Sequence, residues 1–213
     1  MGRRHRAQRD VSPFIMTNLE QILRRATQDL SSLSQRFAVV GGLAVSVRAE
    51  PRLTRDADLA VSVTSDRDAE AVVLGMQQLG YHVLAAVEQD RTGRLSTVRL
   101  ARPGDEVSMV TDLLFASCGI ENEIVEAADT LVVLPGLLLP TATIGHLIAM
   151  KLLARDDRKR PADADDLRAL RAVANPADWE MALDAVGQIE QRGYARGRDL
   201  SAALSDLQSN DAY

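Results

Sequence analysis

Residues 56–63, DADLAVSV, alternate between two kinds of surface. Successive side chains of a strand point to opposite faces, so Ala57, Leu59, Val61 and Val63 fall on one side and Asp56 and Asp58 on the other. Such a strand must sit in a sheet that buries its apolar side, and the other side then holds two carboxylates together. Like charges in that arrangement repel, and each carboxyl rises in pKa unless a cation compensates. A third acid, Asp112, lies in VSMVTDLLFA, a second apolar strand, and buried acids are rare unless paired or metal-bound. Two readings of the pair stand at this point. Asp56 and Asp58 are strand-end acids satisfied by Arg52, Arg55 or backbone amides, or they hold a hard divalent ion such as Mg²⁺, which takes oxygen ligands.

The rest of the chain supplies the setting. Before the acidic strand, FAVV reads as a short strand and GGLAVSVRAE as a helix that Pro51 stops. After it come a helix over DRDAEAVVLGMQQLG closed by Gly80, and a hairpin of YHVLAAVEQ and RLSTVRLAR around DRTG. ENEIVEAAD is a short helix, and TLVVLPGLLLP is extended. From residue 141 the periodicity is helical: TATIGHLIAMKLLARDD, PADADDLRALRAVA, DWEMALDAVGQIEQRG and GRDLSAALSDL. The expected architecture is α+β, a mixed sheet flanked by helices over residues 16–140 with a helical C-terminal region over 141–213. Residues 1–15 read as a disordered basic arm, with Met16 an alternative start.

Composition removes several classes of function. No apolar run approaches the ~20 residues of a membrane span, and no apolar segment follows the basic MGRRHRAQRD as in a secretory signal. The single cysteine, Cys118, excludes an internal disulfide framework and a Cys-rich zinc site, and the expected compartment is the cytoplasm. A net charge of −5 argues against a non-specific coat on nucleic acid. Local basic clusters (Arg24 with Arg25, and Arg155, Arg158, Lys159 and Arg160) read as solvated surface or as a nucleic-acid contact. Of 25 basic residues only Lys151 and Lys159 are lysines, so a lysine here hints that a compact charge on a flexible stem was wanted.

Two further features carry chemistry. Gly41 and Gly42 let the backbone approach a ligand at the start of a helix, where amides favour a phosphate. Their spacing matches neither a Walker P-loop nor a dinucleotide fingerprint. Lys151 aligns with Ile144, Leu147 and Ile148 at the edge of a buried helical stripe, where an unpaired ammonium is costly. In the next helix Asp163, Asp166, Leu167 and Leu170 share a face and Asp165 points off it. Lys151 either pairs with Asp166, contacts a triphosphate, or does both.

With these residues in hand, the chain resembles the AbiEii/AbiGii-like (MenT-type) nucleotidyltransferase toxins of the DNA polymerase β-like superfamily. The matching segments are VVGGLAVSVRAEPRLTRDADL, VTDLL and LIAMKLLARDDRKRPADADDL. One departure is Leu43, which follows Gly42 where the superfamily carries a Gly-Ser pair, so a phosphate grip there falls to backbone amides. The resemblance implies a palm-like sheet whose cleft the C-terminal helices close. It implies Asp56 and Asp58 as Mg²⁺ (or Mn²⁺) ligands, with Asp112 as a third acid, Lys151 on the nucleotide and Asp166 as the acid of the last motif. It further implies a toxin of a toxin–antitoxin pair, expected as a monomer, with a cognate antitoxin protein as partner. The toxin would move NMP from an NTP, with CTP or UTP the expected donors, to the 3′ end of tRNA and so block translation. Alternatives are a transferase acting on a small molecule such as an antibiotic, one acting on a protein, and an idle binding domain. Thr54, two residues before Asp56 and on the same strand face, is expected at the mouth of the site, where phosphorylation would repel a triphosphate.

Overall fold

The computed structural model of the chain describes residues 13–104, 109–156 and 161–209. Seven strands form one mixed sheet: β1 (Phe37–Val39), β2 (Ala57–Val61), β3 (His82–Glu88), β4 (Leu95–Ala101), β5 (Thr111–Leu114), β6 (Asp129–Leu134) and β7 (Leu137–Thr141). Their order is β3-β4-β5-β2-β1-β7-β6. The helices are α1 (Pro13–Ser32), α2 (Gly41–Arg48), α3 (Asp66–Gln78), α4 (Glu121–Glu126), α5 (Ile144–Ala154), α6 (Pro161–Val173), α7 (Pro176–Gln191) and α8 (Leu200–Ser209). This is the expected α+β architecture with a helical C-terminal region.

Register decides which side chains share a face. β2 runs parallel to β5, pairing Ala57 with Thr111, Asp58 with Asp112 and Leu59 with Leu113. β4 runs antiparallel to β5, pairing Val98 with Leu113 and Arg99 with Asp112. Leu59, Leu113 and Val98 therefore line up on one face, and all are fully buried. α1 contacts β2 and β5 and α3 contacts β4, burying that apolar row. The alternate row, Asp58, Asp112 and Arg99, is left for the opposite face. Each fully buried Leu or Val contributes about 1.5–3 kcal/mol, so slipping β2 by one residue would exchange that burial for buried acids.

Several boundaries differ from the sequence expectation. Residues 1–12, most of the expected arm, lie outside the described residues, and α1 already begins at Pro13, ahead of Met16. TLVVLPGLLLP is not one extended run. It folds back at Pro135–Gly136 into the β6–β7 hairpin, with Gly136 at a φ of +69°. A left-handed residue at the turn suits glycine, which carries no Cβ. Arg24 closes the same turn by donating to the Pro135 carbonyl at 2.9 Å, so this part of the basic surface is structural. Asp56 lies just before β2, which starts at Ala57. Arg158, Lys159 and Arg160 lie outside the described residues.

The helical region packs closely on the sheet half. α5 contacts α2, α6, α7 and α8. Thr143 caps it by accepting from the His146 amide, and the Asn175–Asp178 capping box opens α7. α5 is buried on nearly every side, which carries Lys151 into the interior. Among the described residues no helix is long and apolar enough to cross a membrane.

Candidate active site

The polar face of β2, β5 and β4 forms one wall of a cleft of about 390 Å³. Asp58, Asp112 and Arg99 line it from the sheet, Gly41 from the start of α2, and Lys151 with Met150 from α5. Ser117 and Cys118 add the loop after β5, and Arg196 reaches in from the turn between α7 and α8. Both halves of the chain therefore build the same cleft.

On the sheet wall, Arg99 grips Asp112 with both arms of its fork. Its Nε donates to Oδ1 at 2.9 Å and its Nη2 to Oδ2 at 2.7 Å. Such bidentate pairs are among the strong charge-assisted contacts. Asp112 is almost wholly buried, whereas the Arg99 side chain is 46 % exposed. Asp56 and Asp58 also act on Arg99 through their charge, whereas Asp112 is the carboxylate in contact with it. The Asp56 carboxyl stays above the usual carboxylate range, first because burial disfavours its charge and then because Asp112 repels it, with Arg99 and Arg55 pulling the other way. Arg55 thus keeps the role of a neighbouring cation to Asp56, whereas the contact pair of Arg52 lies elsewhere.

Arg52 goes instead to Asp166. Its Nη2 donates to Oδ2 at 2.9 Å, and its Nε lies 2.6 Å from Oδ1. Lys151 completes the group, its Nζ 2.7 Å from both Asp163 Oδ1 and Asp166 Oδ2. Asp163 and Asp166 are buried at 2 % and 1 % exposure while Asp165 is exposed, as the helical spacing predicts. The Lys151–Asp166 pair is present, with Asp163 as a second acid. An ammonium has three donors, so two acids leave one over, and Lys151 is among the residues that line the cleft.

The paired glycines now have separate reasons. Gly41 has a φ of +64°, and a Cβ there would stand 1.9 Å from Asp58 Oδ2. A Cβ on Gly42 would stand 2.3 Å from Arg52 Nη2. One glycine makes room for the cleft carboxylate and the other for the arginine that fixes Asp166. The residue that opens α2, Val40, supplies no side-chain cap to its first turn.

The loop after β5 is pinned from within. Glu121, buried, accepts from the Ser117 amide at 2.6 Å, the Cys118 amide at 2.8 Å and the Gly119 amide at 3.0 Å. Arg196 donates to the Ser117 carbonyl at 3.0 Å, tying the α7–α8 turn to the same loop. The Cys118 thiol is pushed well above its usual range by burial and by Glu121, so it is an inert part of the wall.

The structure thus brings Gly41, Asp58, Asp112 and Lys151 to one cleft, with Asp56 beside Asp112 and Asp166 behind Lys151. Thr54 is not on the strand face expected for it. It lies in the irregular segment before β2, half-buried, and is not part of the cleft lining. Among the described residues no group of three or more His, Cys, Asp or Glu is gathered closely enough to hold a metal ion. The donor chemistry nevertheless fits a hard cation at Asp56 and Asp58, because oxygen ligands suit Mg²⁺ or Mn²⁺ and the raised Asp56 carboxyl would be relieved by positive charge. Asp112 fits only if its oxygens leave Arg99. Sequence reasoning missed Arg99, Arg196 and Glu121 altogether. Arg99 had one available signal, an arginine among apolar residues in STVRLAR two positions from Thr97, but its partner could be known only from register.

Known proteins resemble this chain at two levels, family and fold. The model of the family described as "Nucleotidyl transferase AbiEii toxin, Type IV TA system" matches residues 21–212. No curated protein matches the chain. Among solved structures, JHP933 from Helicobacter pylori is similar at 13% identity and a TM-score of 0.46, over 93% of this chain and 90% of that one. The antibiotic-resistance factor ANT(2'')-Ia is similar at 15% identity and a TM-score of 0.45, over 91% and 90%. Both are too distant to carry an argument about the site. The family match spans nearly the whole chain, and the protein belongs to the AbiEii nucleotidyltransferase toxins of type IV toxin–antitoxin systems.

Proposed function

We propose that this toxin transfers a nucleoside monophosphate, with a pyrimidine preferred, from an NTP to the 3′ end of tRNA, in the cytoplasm and opposed by a cognate antitoxin. The observation that carries this reading is that Asp58 and Asp112 on the sheet face Lys151 on α5 across one cleft. Nucleotidyl transfer has that requirement: an acceptor hydroxyl attacks the α-phosphate and pyrophosphate leaves, so charge must be met on both sides of phosphorus.

Asp56 and Asp58 would hold Mg²⁺ or Mn²⁺, which when bound supplies a clamp on the attacking and leaving oxygens. Lys151, held by Asp163 and Asp166, directs its ammonium to the triphosphate and offsets charge on the leaving group. The first amides of α2, beside Gly41, receive phosphate oxygens in place of the serine that the chain lacks. Lys151, Arg99 and Arg196 all line the cleft, and once a metal offsets Asp56 and Asp58 these three cations favour a polyanionic acceptor over a cationic drug.

The test is incubation with total tRNA and each labelled NTP in turn, beside the Lys151→Ala variant. Label on RNA, strongest with CTP or UTP and lost in the variant, is the expected result. Label on protein, or on a small molecule in place of RNA, would overturn the acceptor assignment. Binding of an NTP with no transfer to any acceptor would overturn the catalytic one.

A further inference from the structure

We propose that Arg99 is an exchange cation, competing with the divalent metal for Asp112 and binding the triphosphate once displaced. The inference rests on the metal-dependent function proposed for the cleft and concerns residues of that same site. Both oxygens of Asp112 are taken by Arg99, at 2.9 and 2.7 Å. A metal that uses Asp112 needs one of those oxygens, so the fork and the metal cannot both be satisfied. Strand register enforces the competition, because Asp58, Asp112 and Arg99 occupy one row across β2, β5 and β4.

The position of Arg99 sets the fate of the displaced guanidinium. Asp112 is held in the sheet, but the Arg99 side chain is half-exposed and lines the cleft that Lys151 and Arg196 also line. Its long stem can leave Asp112 without disturbing the buried core. Phosphate oxygens then offer the planar fork the same bidentate geometry that the carboxylate gave it. Metal and nucleotide thereby favour one another: the metal takes the carboxylate and frees a phosphate-binding cation.

The exchange predicts opposite shifts for two ligands that depend on the guanidinium fork as well as on its charge, so that a variant keeping the charge alone shows them too. In titration calorimetry with MnCl₂ alone, Arg99→Met should bind Mn²⁺ about threefold more tightly or better, the scale of an ion pair with one exposed partner. With CTP or UTP at saturating Mg²⁺, the same variant should bind about tenfold more weakly, the scale of a lost charge-assisted contact. Arg99→Lys, which keeps the charge and loses the fork, should fall between wild type and Arg99→Met for both ligands. Unchanged or weaker Mn²⁺ binding by Arg99→Met overturns the competition, and unchanged nucleotide binding overturns the second role. Should Arg99→Met lose its native circular dichroism, Arg99→Lys decides by the same opposed shifts. Failure of the wild type itself to bind Mn²⁺ and any NTP would overturn the metal-dependent reading, whereas wild-type binding of both without opposed shifts overturns this proposal alone.

Discussion

The two sides of the cleft hold similar residues in opposite conditions. On the helix side, Asp163 and Asp166 meet Lys151 and Arg52 in a buried group where acids and bases balance. On the sheet side, Arg99 contacts Asp112 and also feels the charges of Asp56 and Asp58, and with Arg55 acting on Asp56 three acids share two bases. Burial explains the difference. An excess charge deep between helices would cost several kcal/mol, so every partner there must be present in the fold itself. The sheet acids face a cleft, where solvent or a bound cation can complete the balance. The helix side therefore reads as a prebuilt cradle for one lysine, and the sheet side as the part that waits for ligands.

Four substitutions can break or sharpen this contrast. The largest effect is expected for Asp58→Ala, which should lower transfer of labelled nucleotide about 100-fold or more with little change in thermal unfolding. A strongly destabilised Asp58→Ala protein would mean that the sheet acids are structural after all. Asp166→Ala should show its main effect in stability, with transfer lowered through the loosened Lys151. Leaving Lys151 and Arg52 short of a buried partner should cost about 3–5 kcal/mol, read as a lower denaturation midpoint, and a variant as stable as wild type would show that the helix group is no lock. Gly41→Ala crosses the two sides, since its Cβ would collide with Asp58 at a left-handed backbone position. It should cost about 1–3 kcal/mol and also reduce transfer, and retention of both stability and activity would refute the close approach.

The smallest effect on stability concerns Asp56. Its carboxyl is raised in the folded state, so the folded protein binds its proton more readily than the unfolded chain does, and stability falls as pH rises above the ordinary aspartate value of 3.8. Asp56→Asn should therefore raise the melting temperature at neutral pH by about a degree or two, a modest figure because solvent screens a half-exposed group. It should abolish transfer at the same time. Melting curves at pH 7 and pH 4 check the sign, since the gain should shrink on acidification.

Much of the helix side was legible in the sequence. Helical spacing alone put Lys151 on the buried edge, turned Asp163 and Asp166 inward and left Asp165 outside, because a face is a local property of 3.6 residues per turn. The order of Gly-Gly, Asp-x-Asp and the lysine followed by Asp-x-x-Asp also carried the family. The sheet side was less legible. The alternation in DADLAVSV was enough to put Asp58 opposite the core, but it overextended to Thr54, since β2 begins only at Ala57. The β6–β7 hairpin was missed because the apolar run continues through the turn and hides it.

Sequence by itself determined which residues are apolar, which faces they form and where short-range turns and caps fall, since each depends on neighbours within a few positions. Only the tertiary structure decided the pairings. Arg52 lies near Asp56 and Asp58 in the chain yet reaches Asp166 on α6, and Arg99 meets Asp112 across two strands. Charge attracts without regard to sequence distance, so the partner of an arginine is chosen by whichever carboxylate the packed elements bring within reach. For the same reason the two glycines could be recognised as an opening for backbone in the sequence, while the groups they make room for, Asp58 and Arg52, were set beside them only by the packing of strand and helix.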